Sequence, residues 1–136
     1  MGILSHEILS PQQYGEYEAF VKSHRYGSFM QSIHWTQVKN NWGHEVLVVR
    51  REDGAIAGGV LVLIKRMPLG FSMLYAPRGP VCDYLEQPVM AQLLEGIREL
   101  AKKHNAIFFK CDPMVEETDQ AVIQMFRSLG YQIKEG

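Results

Sequence analysis

The chain has 136 residues, enough for one domain with a genuine core, and its 46% hydrophobic and 21% charged residues are ordinary for a globular protein. The formal net charge of -1 argues against an extended nucleic-acid surface, and no apolar run approaches the roughly 20 residues that span a bilayer. Two cysteines without CxxC spacing and five scattered histidines match no metal-binding motif. Since the start also lacks a signal peptide, we expect a cytoplasmic protein that needs no metal or other cofactor.

Two helices are predicted before the first predicted strand. The first begins at Ser10-Pro11, where proline needs no N–H donor, and continues to about Lys22 because apolar residues recur at helical spacing. The second covers residues 30–42 and is amphipathic, with Ser32 as its cap and a glycine after its end. Its apolar face is formed by Ile33, Trp35, Val38 and Trp42.

The pattern of apolar residues then changes from that of helices to that of strands, and three strands are predicted to form an antiparallel meander. Asp53-Gly54 is a strong signal for a two-residue hairpin between two apolar strands. Gly58-Gly59 indicates a bulge or a close backbone approach within the second of them. The three strands are predicted at residues 45–51, 55–66 and 71–76.

The second half alternates helices with strands, which implies parallel or mixed pairing there. We expect one α/β (α+β) domain over residues 1–136, with a mixed central sheet, an antiparallel meander and flanking helices. This element order resembles the GCN5-related N-acetyltransferase (GNAT) fold. The predicted elements are a helix at residues 87–104, a buried strand at 106–111, a helix at 116–129 and a strand beginning at 131–134.

The loop at residues 75–83 is the first candidate site. Two prolines in it have no N–H to donate, and only Gly79 lets a ligand approach closely, so it cannot be the usual glycine-rich CoA cradle. It is expected to present Arg78, whose guanidinium suits a phosphate or carboxylate. A turn in which Arg78 pairs with Asp83 remains an equal alternative.

Asp112 and Lys39 are further candidates. Asp112 follows a predicted strand and is locked by Pro113, the place where ligands of α/β proteins usually bind. On spacing alone, helix capping or an ion pair with Lys110 explains Asp112 better, and a solvated helix end explains Lys39. A layered fold could nevertheless bring Lys39, Arg78 and Asp112 to one end of the sheet.

Three segments carry a resemblance to a known family, and they are Val38-Lys39-Asn40-Asn41-Trp42, Tyr75-Ala76-Pro77-Arg78-Gly79-Pro80-Val81-Cys82-Asp83 and Lys110-Cys111-Asp112-Pro113. In order and spacing they resemble segments of the FemA/FemB/FemX family of aminoacyltransferases, which build peptidoglycan interpeptide bridges. The resemblance covers essentially the whole chain. Because members contain two GNAT-like domains, the chain is expected to be the first, N-terminal one.

The resemblance implies a reaction and its partners. An amine of the stem peptide attacks the aminoacyl ester of a charged tRNA, and a new amide bond forms. The acceptor is UDP-MurNAc-pentapeptide or the lipid-linked precursor, which is compatible with a peripheral membrane contact. Most of the aminoacyl-tRNA surface is expected on the second domain.

The resemblance also assigns residues. Lys39 is expected at the diphosphate, Trp42 at the sugar-nucleotide end, and Asp112 near the reacting amine, where it positions that amine first and transfers a proton second. One departure is Ile107, where a FemX-like enzyme can carry tyrosine. The remaining expected substrate-binding residues belong to the family loop and are Tyr75, Arg78 and Gly79.

Two other functions compete with this one. The chain could be a stand-alone N-acyltransferase that uses acyl-CoA, or a catalytically inert scaffold domain. Binding of CoA without binding of the precursor is the signature of the first, and an intact fold that binds neither is the signature of the second.

Overall fold

The computed structural model describes residues 3–39, 41–113, 115 and 118–133. Within these ranges the chain forms six strands and four α-helices, and none of the helices is long and apolar enough to cross a membrane. The strands are β1 (Ser5–Ile8), β2 (Gly43–Arg50), β3 (Ile56–Arg66), β4 (Ser72–Ala76), β5 (Val81–Cys82) and β6 (Ala106–Cys111). The α-helices are α1 (Tyr14–Ser23), α2 (Trp35–Val38), α3 (Gln87–Lys103) and α4 (Gln120–Ser128), and short 3-10 helices cover Pro11–Gln13, Phe29–Gln31 and Pro68–Gly70.

All six strands belong to one mixed sheet. β1 pairs antiparallel with β2, the strands β2, β3 and β4 form an antiparallel meander, and β6 lies parallel to β4. The predicted meander and the predicted mixed pairing in the second half are therefore confirmed. β1 and β5 were not predicted, because strands of four and two residues are too short to show a period.

The sheet has a gap beside the middle of β3. β4 pairs with residues 63–66 of β3, and β5 pairs with Gly58 and Gly59, both in the antiparallel direction. β5 thus continues the line of β4 after residues 77–80 have left the sheet. Between the two pairings, residues 60–62 of β3 face no described strand on this side.

The side chain of Gln31 fills that gap. Its Oε1 accepts from the Leu61 N–H at 2.9 Å, and its Nε2 donates to the Leu61 oxygen at 3.1 Å and to the Pro77 oxygen at 2.9 Å. The buried Tyr17 hydroxyl donates to the Gln31 backbone oxygen at 2.6 Å. Gln31 is 0% exposed, so one carboxamide satisfies the backbone groups that a strand would otherwise pair.

Helices cover both faces of the sheet. α3 and α4 bury the larger apolar cluster on one face, and α1 buries a smaller one around Tyr17 on the other. The close approach predicted at Gly58-Gly59 is confirmed, since a Cβ at Gly58 would lie 2.9 Å from Val89 Cγ1 and one at Gly59 would lie 3.0 Å from Tyr17 Cε1. These glycines therefore set how closely both helical layers pack on β3.

The single helix predicted at residues 30–42 is wrong. The chain forms the 3-10 turn Phe29–Gln31, extends at Ser32 with ψ 147°, and turns again only over Trp35–Val38. Glu18 accepts from the Ile33 N–H at 2.6 Å and from the Ser32 hydroxyl at 3.0 Å. These tertiary hydrogen bonds, together with the inward turn of Gln31, outweigh the local helical pattern, and Gly43 begins β2 instead of ending a helix.

The other predicted helices and strands agree with the structure except near the C-terminus. β6 is an edge strand and is not buried, because Ile107 and Phe108 are 55% and 48% exposed. The helix predicted at residues 116–129 begins only at Gln120, and its two predicted first residues lie outside the described ranges. No strand forms over residues 131–133, where Tyr131 folds back onto Phe126 at a ring distance of 5.3 Å, and residue 134 is not described.

We predict that Gln31→Leu lowers the free energy of unfolding by about 3 kcal/mol, because it leaves buried backbone groups of Leu61 and Pro77 without partners. Urea denaturation measures the change. Gln37→Leu is the matched control, since Gln37 is exposed on α2. Equal stability of the two variants would contradict the bridging role of Gln31.

Candidate functional site

Asp112 lies directly after β6, next to the end of the parallel strand β4. Its Oδ2 accepts from the Tyr75 hydroxyl at 3.0 Å, and its Oδ1 accepts from the Arg78 backbone N–H at 2.6 Å. The carboxyl ends of parallel strands meet at one edge of the sheet, which explains why residues 37 and 34 positions apart come together here. Asp112 is half-buried, so its two oxygens are oriented and still reachable.

The two simpler explanations of Asp112 do not hold. The ammonium of Lys110 lies 5.6 Å from the centroid of the Tyr75 ring, and the ion pairs among the described residues include none between Lys110 and Asp112. Among the described residues, the backbone partner of Asp112 is the N–H of Arg78 in the loop at residues 77–80, and α4 is capped by Asp119, whose side chain accepts from the Val122 N–H. We call the set of Tyr75, Arg78 N–H and Asp112 the carboxylate network.

The loop at residues 77–80 presents Arg78 as expected. Arg78 has φ 57°, in the left-handed region, which aims its N–H at Asp112, and its side chain is exposed. The alternative pair with Asp83 does not form, since the Asp83 carboxylate instead accepts from the Leu85 N–H at 3.0 Å. Gly79 is buried against Gln31, where a Cβ would lie 2.6 Å from the Gln31 carboxamide carbon, so its small size makes room for that side chain.

Trp42 extends the network, whereas Lys39 is directed elsewhere. The half-buried Trp42 ring lies 6.5 Å from the Tyr75 ring. The cation over Trp42 is Lys65, at 5.8 Å from the ring centroid, while the Lys39 ammonium lies 5.8 Å from the centroid of Trp35. The structure thus brings Trp42, Tyr75 and Asp112 together and gives Trp42 a different lysine from the one that the sequence paired with it.

These residues border an exposed part of the sheet on the side of α1. α1 packs on β2 and β3. Strand register places Tyr75 opposite both Leu63 and Lys110, and Met73 opposite Lys65, so these side chains leave the sheet on the same side. We call the surface formed by Lys65, Met73, Tyr75 and Lys110 the open half-face.

The electrostatics keep Tyr75 protonated and Cys111 unreactive. Burial, followed by the hydrogen bond to Asp112 and its negative charge, raises the pKa of Tyr75 above its ordinary value. Burial, with a smaller effect of the Asp112 charge, raises the pKa of the Cys111 thiol to about 12. Tyr75 is therefore a hydrogen-bond donor, and Cys111 is no thiolate nucleophile at neutral pH.

Over the described parts of the chain, no cluster of three His, Cys, Asp or Glu side chains is arranged to hold a metal ion.

Sequence reasoning missed Gln31, Lys65 and the role of Lys110. Nothing around Gln31 distinguishes it from a polar helix residue, so no local signal predicts its burial. Lys65 could have been noticed, because it continues the alternation of Leu61 and Leu63 onto the same face of β3. Lys110 was considered only as a partner of Asp112.

Comparison with known proteins gives consistent matches. Residues 9–132 match the FemAB family. The chain is 36% identical over 123 residues to the lipid II:glycine glycyltransferase of Staphylococcus haemolyticus and 34% identical to that of Staphylococcus aureus, covering 88% of this chain and 29% of each relative. The crystal structure of FemX superposes with a TM-score of 0.84 at 31% identity, over 93% of this chain and 31% of FemX.

More distant structures share the fold alone. An aminoglycoside 6'-N-acetyltransferase from Acinetobacter baumannii has a TM-score of 0.64 at 14% identity, and the match covers 98% of this chain and 94% of the enzyme. A probable acetyltransferase has a TM-score of 0.68 at 10% identity, over 96% of this chain and 91% of that protein. The expected GNAT-like architecture is confirmed.

We predict that Asp112→Asn lowers the pKa of Tyr75, because the negative charge beside the phenol is removed, while burial keeps it above the ordinary value of about 10. In the parent chain the pKa of Tyr75 is higher in the folded state than in the unfolded chain. The neutral, hydrogen-bonded phenol therefore stabilises the fold below a pH of about 10, and this contribution is lost as the pH rises through the folded-state pKa. An NMR titration of labelled tyrosine, assigned with Tyr75→Phe, measures the shift. Asp83→Asn should leave it unchanged, and an unchanged titration in Asp112→Asn would rule out the coupling.

Proposed function

The chain belongs to the FemAB family, and we propose that it is the precursor-binding domain of an aminoacyltransferase that adds an amino acid to the stem peptide of a peptidoglycan precursor. The carboxylate network is the observation that carries the proposal. A half-buried carboxylate held by Tyr75 and the Arg78 N–H retains lone pairs that can accept from an amine. The names of the glycyltransferase relatives support a lipid-linked acceptor.

The chain spans about 29% of the length of the curated relatives it matches. We propose from the family resemblance that it corresponds to the first, N-terminal domain of a two-domain transferase, which requires the second domain for turnover. Aminoacyl-tRNA is the proposed donor. The net charge of -1 supports a tRNA-binding surface located mainly on the second domain.

The proposed chemistry is aminolysis of an ester. The amine nitrogen of the stem peptide attacks the ester carbonyl of aminoacyl-tRNA, an amide bond forms, and the C–O bond to the tRNA ribose breaks as the ribose hydroxyl leaves with a proton. A carboxylate is a weak base for an ammonium group, so Asp112 first orients the amine and secondly accepts a proton from it. Tyr75 and the Arg78 N–H fix the carboxylate orientation that this role requires.

Contacts to the rest of the precursor follow from the family resemblance. Lys39 is the proposed contact of the diphosphate, and Trp42 packs against the sugar-nucleotide end. Arg78 and Gly79 belong to the loop proposed to line the groove, and the exposed Arg78 guanidinium is available to an anionic group. The exposed Ile107 stands where FemX-like enzymes can carry tyrosine, so the details of precursor recognition are expected to differ here.

The structure disfavours the acyl-CoA alternative. A pyrophosphate cradle needs successive backbone N–H groups, but two of the four residues at 77–80 are prolines and the Arg78 N–H already binds Asp112. Isothermal calorimetry tests the choice directly. We expect the chain to bind UDP-MurNAc-pentapeptide and not CoA; the reverse result would establish the acyl-CoA alternative, and binding of neither would favour an inert scaffold.

We predict that Lys39→Ala weakens binding of UDP-MurNAc-pentapeptide about tenfold without lowering the melting temperature, because a charge-assisted contact is lost from a side chain outside the apolar core. Lys102→Ala, at an exposed position of α3, is the control. A marked loss of stability in Lys39→Ala, with affinity unchanged, would return Lys39 to a structural role.

Trp42→Ala should reduce both affinity and stability. The half-buried ring packs near Tyr75 and carries Lys65 over its face, so its removal opens the surface beside the carboxylate network. Calorimetry and thermal denaturation of the same sample measure the two effects. Loss of stability with full affinity would exclude Trp42 from the ligand site.

A further inference from the structure

We infer that Lys65 and Lys110 are two further cations that orient the precursor on the open half-face, with Lys65 contributing, in addition to Lys39, to binding of its diphosphate and Lys110 binding a carboxylate of its peptide. The inference rests on the proposed function. It assigns to Lys65, which lies outside the sequence motifs, and to Lys110, which one motif includes without giving it a role, the task of fixing which end of the ligand reaches Asp112.

Strand register carries the first step. Tyr75 lies opposite Lys110 across the β4–β6 pairing, and Met73 lies opposite Lys65 across the β3–β4 pairing. Residues paired across strands project from the same face, so both lysines stand on the open half-face with the aromatic residue between them in strand order. Both side chains are exposed, whereas those of β3 residues 60–64 are buried.

Each ammonium is held over an aromatic ring. Lys65 Nζ lies 5.8 Å from the Trp42 centroid, and Lys110 Nζ lies 5.6 Å from the Tyr75 centroid. The attraction of a cation to a ring face restricts a flexible lysine without neutralising it. Neither lysine forms an ion pair with another described residue, so both charges remain available to a ligand.

The arrangement has a direction. Lys110 lies two residues before Asp112 and over the Tyr75 ring, whose hydroxyl binds that carboxylate, so this cation belongs to the reacting end of the site. Lys65 lies near the end of β3, two strands away from β6, and its ammonium is next to Trp42. A ligand that carries a diphosphate at one end and a peptide with free carboxylates at the other matches two separated cations.

Binding by charge-neutral variants tests the inference in the full-length protein. With UDP-MurNAc-pentapeptide as the probe, Lys65→Gln and Lys110→Gln are each expected to weaken affinity about tenfold. With UDP as the probe, which has a diphosphate but no peptide, only Lys65→Gln is expected to weaken affinity. Lys102→Gln on α3 is the matched control, and Lys65→Arg should recover most of the affinity because it keeps the charge.

Each other result overturns the inference. If both lysine variants bind the precursor as the parent protein does, the two cations have no part in recognition, although the proposed function stands. If both weaken UDP binding equally, the assignment of one lysine to each end is wrong. If the parent protein itself does not bind the precursor, the proposed function and the inference fail together. Thermal denaturation of every variant confirms that the exposed substitutions leave the fold intact.

Discussion

The carboxamide of Gln31 inside the sheet is the interaction on which the candidate site depends. β3 is paired on one side by two strands that do not meet, and the Gln31 amide satisfies the Leu61 groups left between them. Without it, residues 77–80 would either close the sheet or leave buried backbone groups unpaired. Because Gln31 also binds the Pro77 oxygen, the same side chain that fills the gap holds the loop outside the sheet.

The loop at residues 77–80, which lies outside the sheet, in turn creates the carboxylate network. Once Arg78 has left the ladder in a left-handed conformation, its N–H points to the end of the neighbouring parallel strand, where it meets Asp112. Tyr75, the residue before the end of β4, supplies the second donor. The interruption between β4 and β5 therefore provides the hydrogen bonds that fix the orientation of a carboxylate at this end of the sheet. Distant acetyltransferases share this fold, whereas the ligand proposed for this chain follows from the prolines of the loop and from Asp112.

Charge divides the candidate site into two ends. In the proposed site, Asp112 accepts from an amine at the end that also holds Lys110, and Lys65 provides positive charge at the other end. The proposed precursor has the same order, since its reacting amine lies on the peptide and its diphosphate lies at the opposite end.

Local sequence determined most of the fold. The period of residues 87–104 predicted α3 within one residue, and Asp53-Gly54 correctly marked the turn from β2 to β3, because hydrophobic spacing and turn chemistry act over a few residues. The two-residue hairpin predicted there is wrong, since residues 51–55 separate the two strands. The motifs likewise singled out Asp112, Tyr75 and Trp42, which lie together in the structure. Only the tertiary structure decided that residues 30–42 are not one helix, that Gln31 is buried, and that Trp42 is paired with Lys65 and not Lys39. The Gln31 hydrogen bonds join residues 30 and 46 positions apart, and strand register alone brings the lysines to one face. Contacts at such separations leave no periodic trace along the chain, so no local pattern could have predicted them.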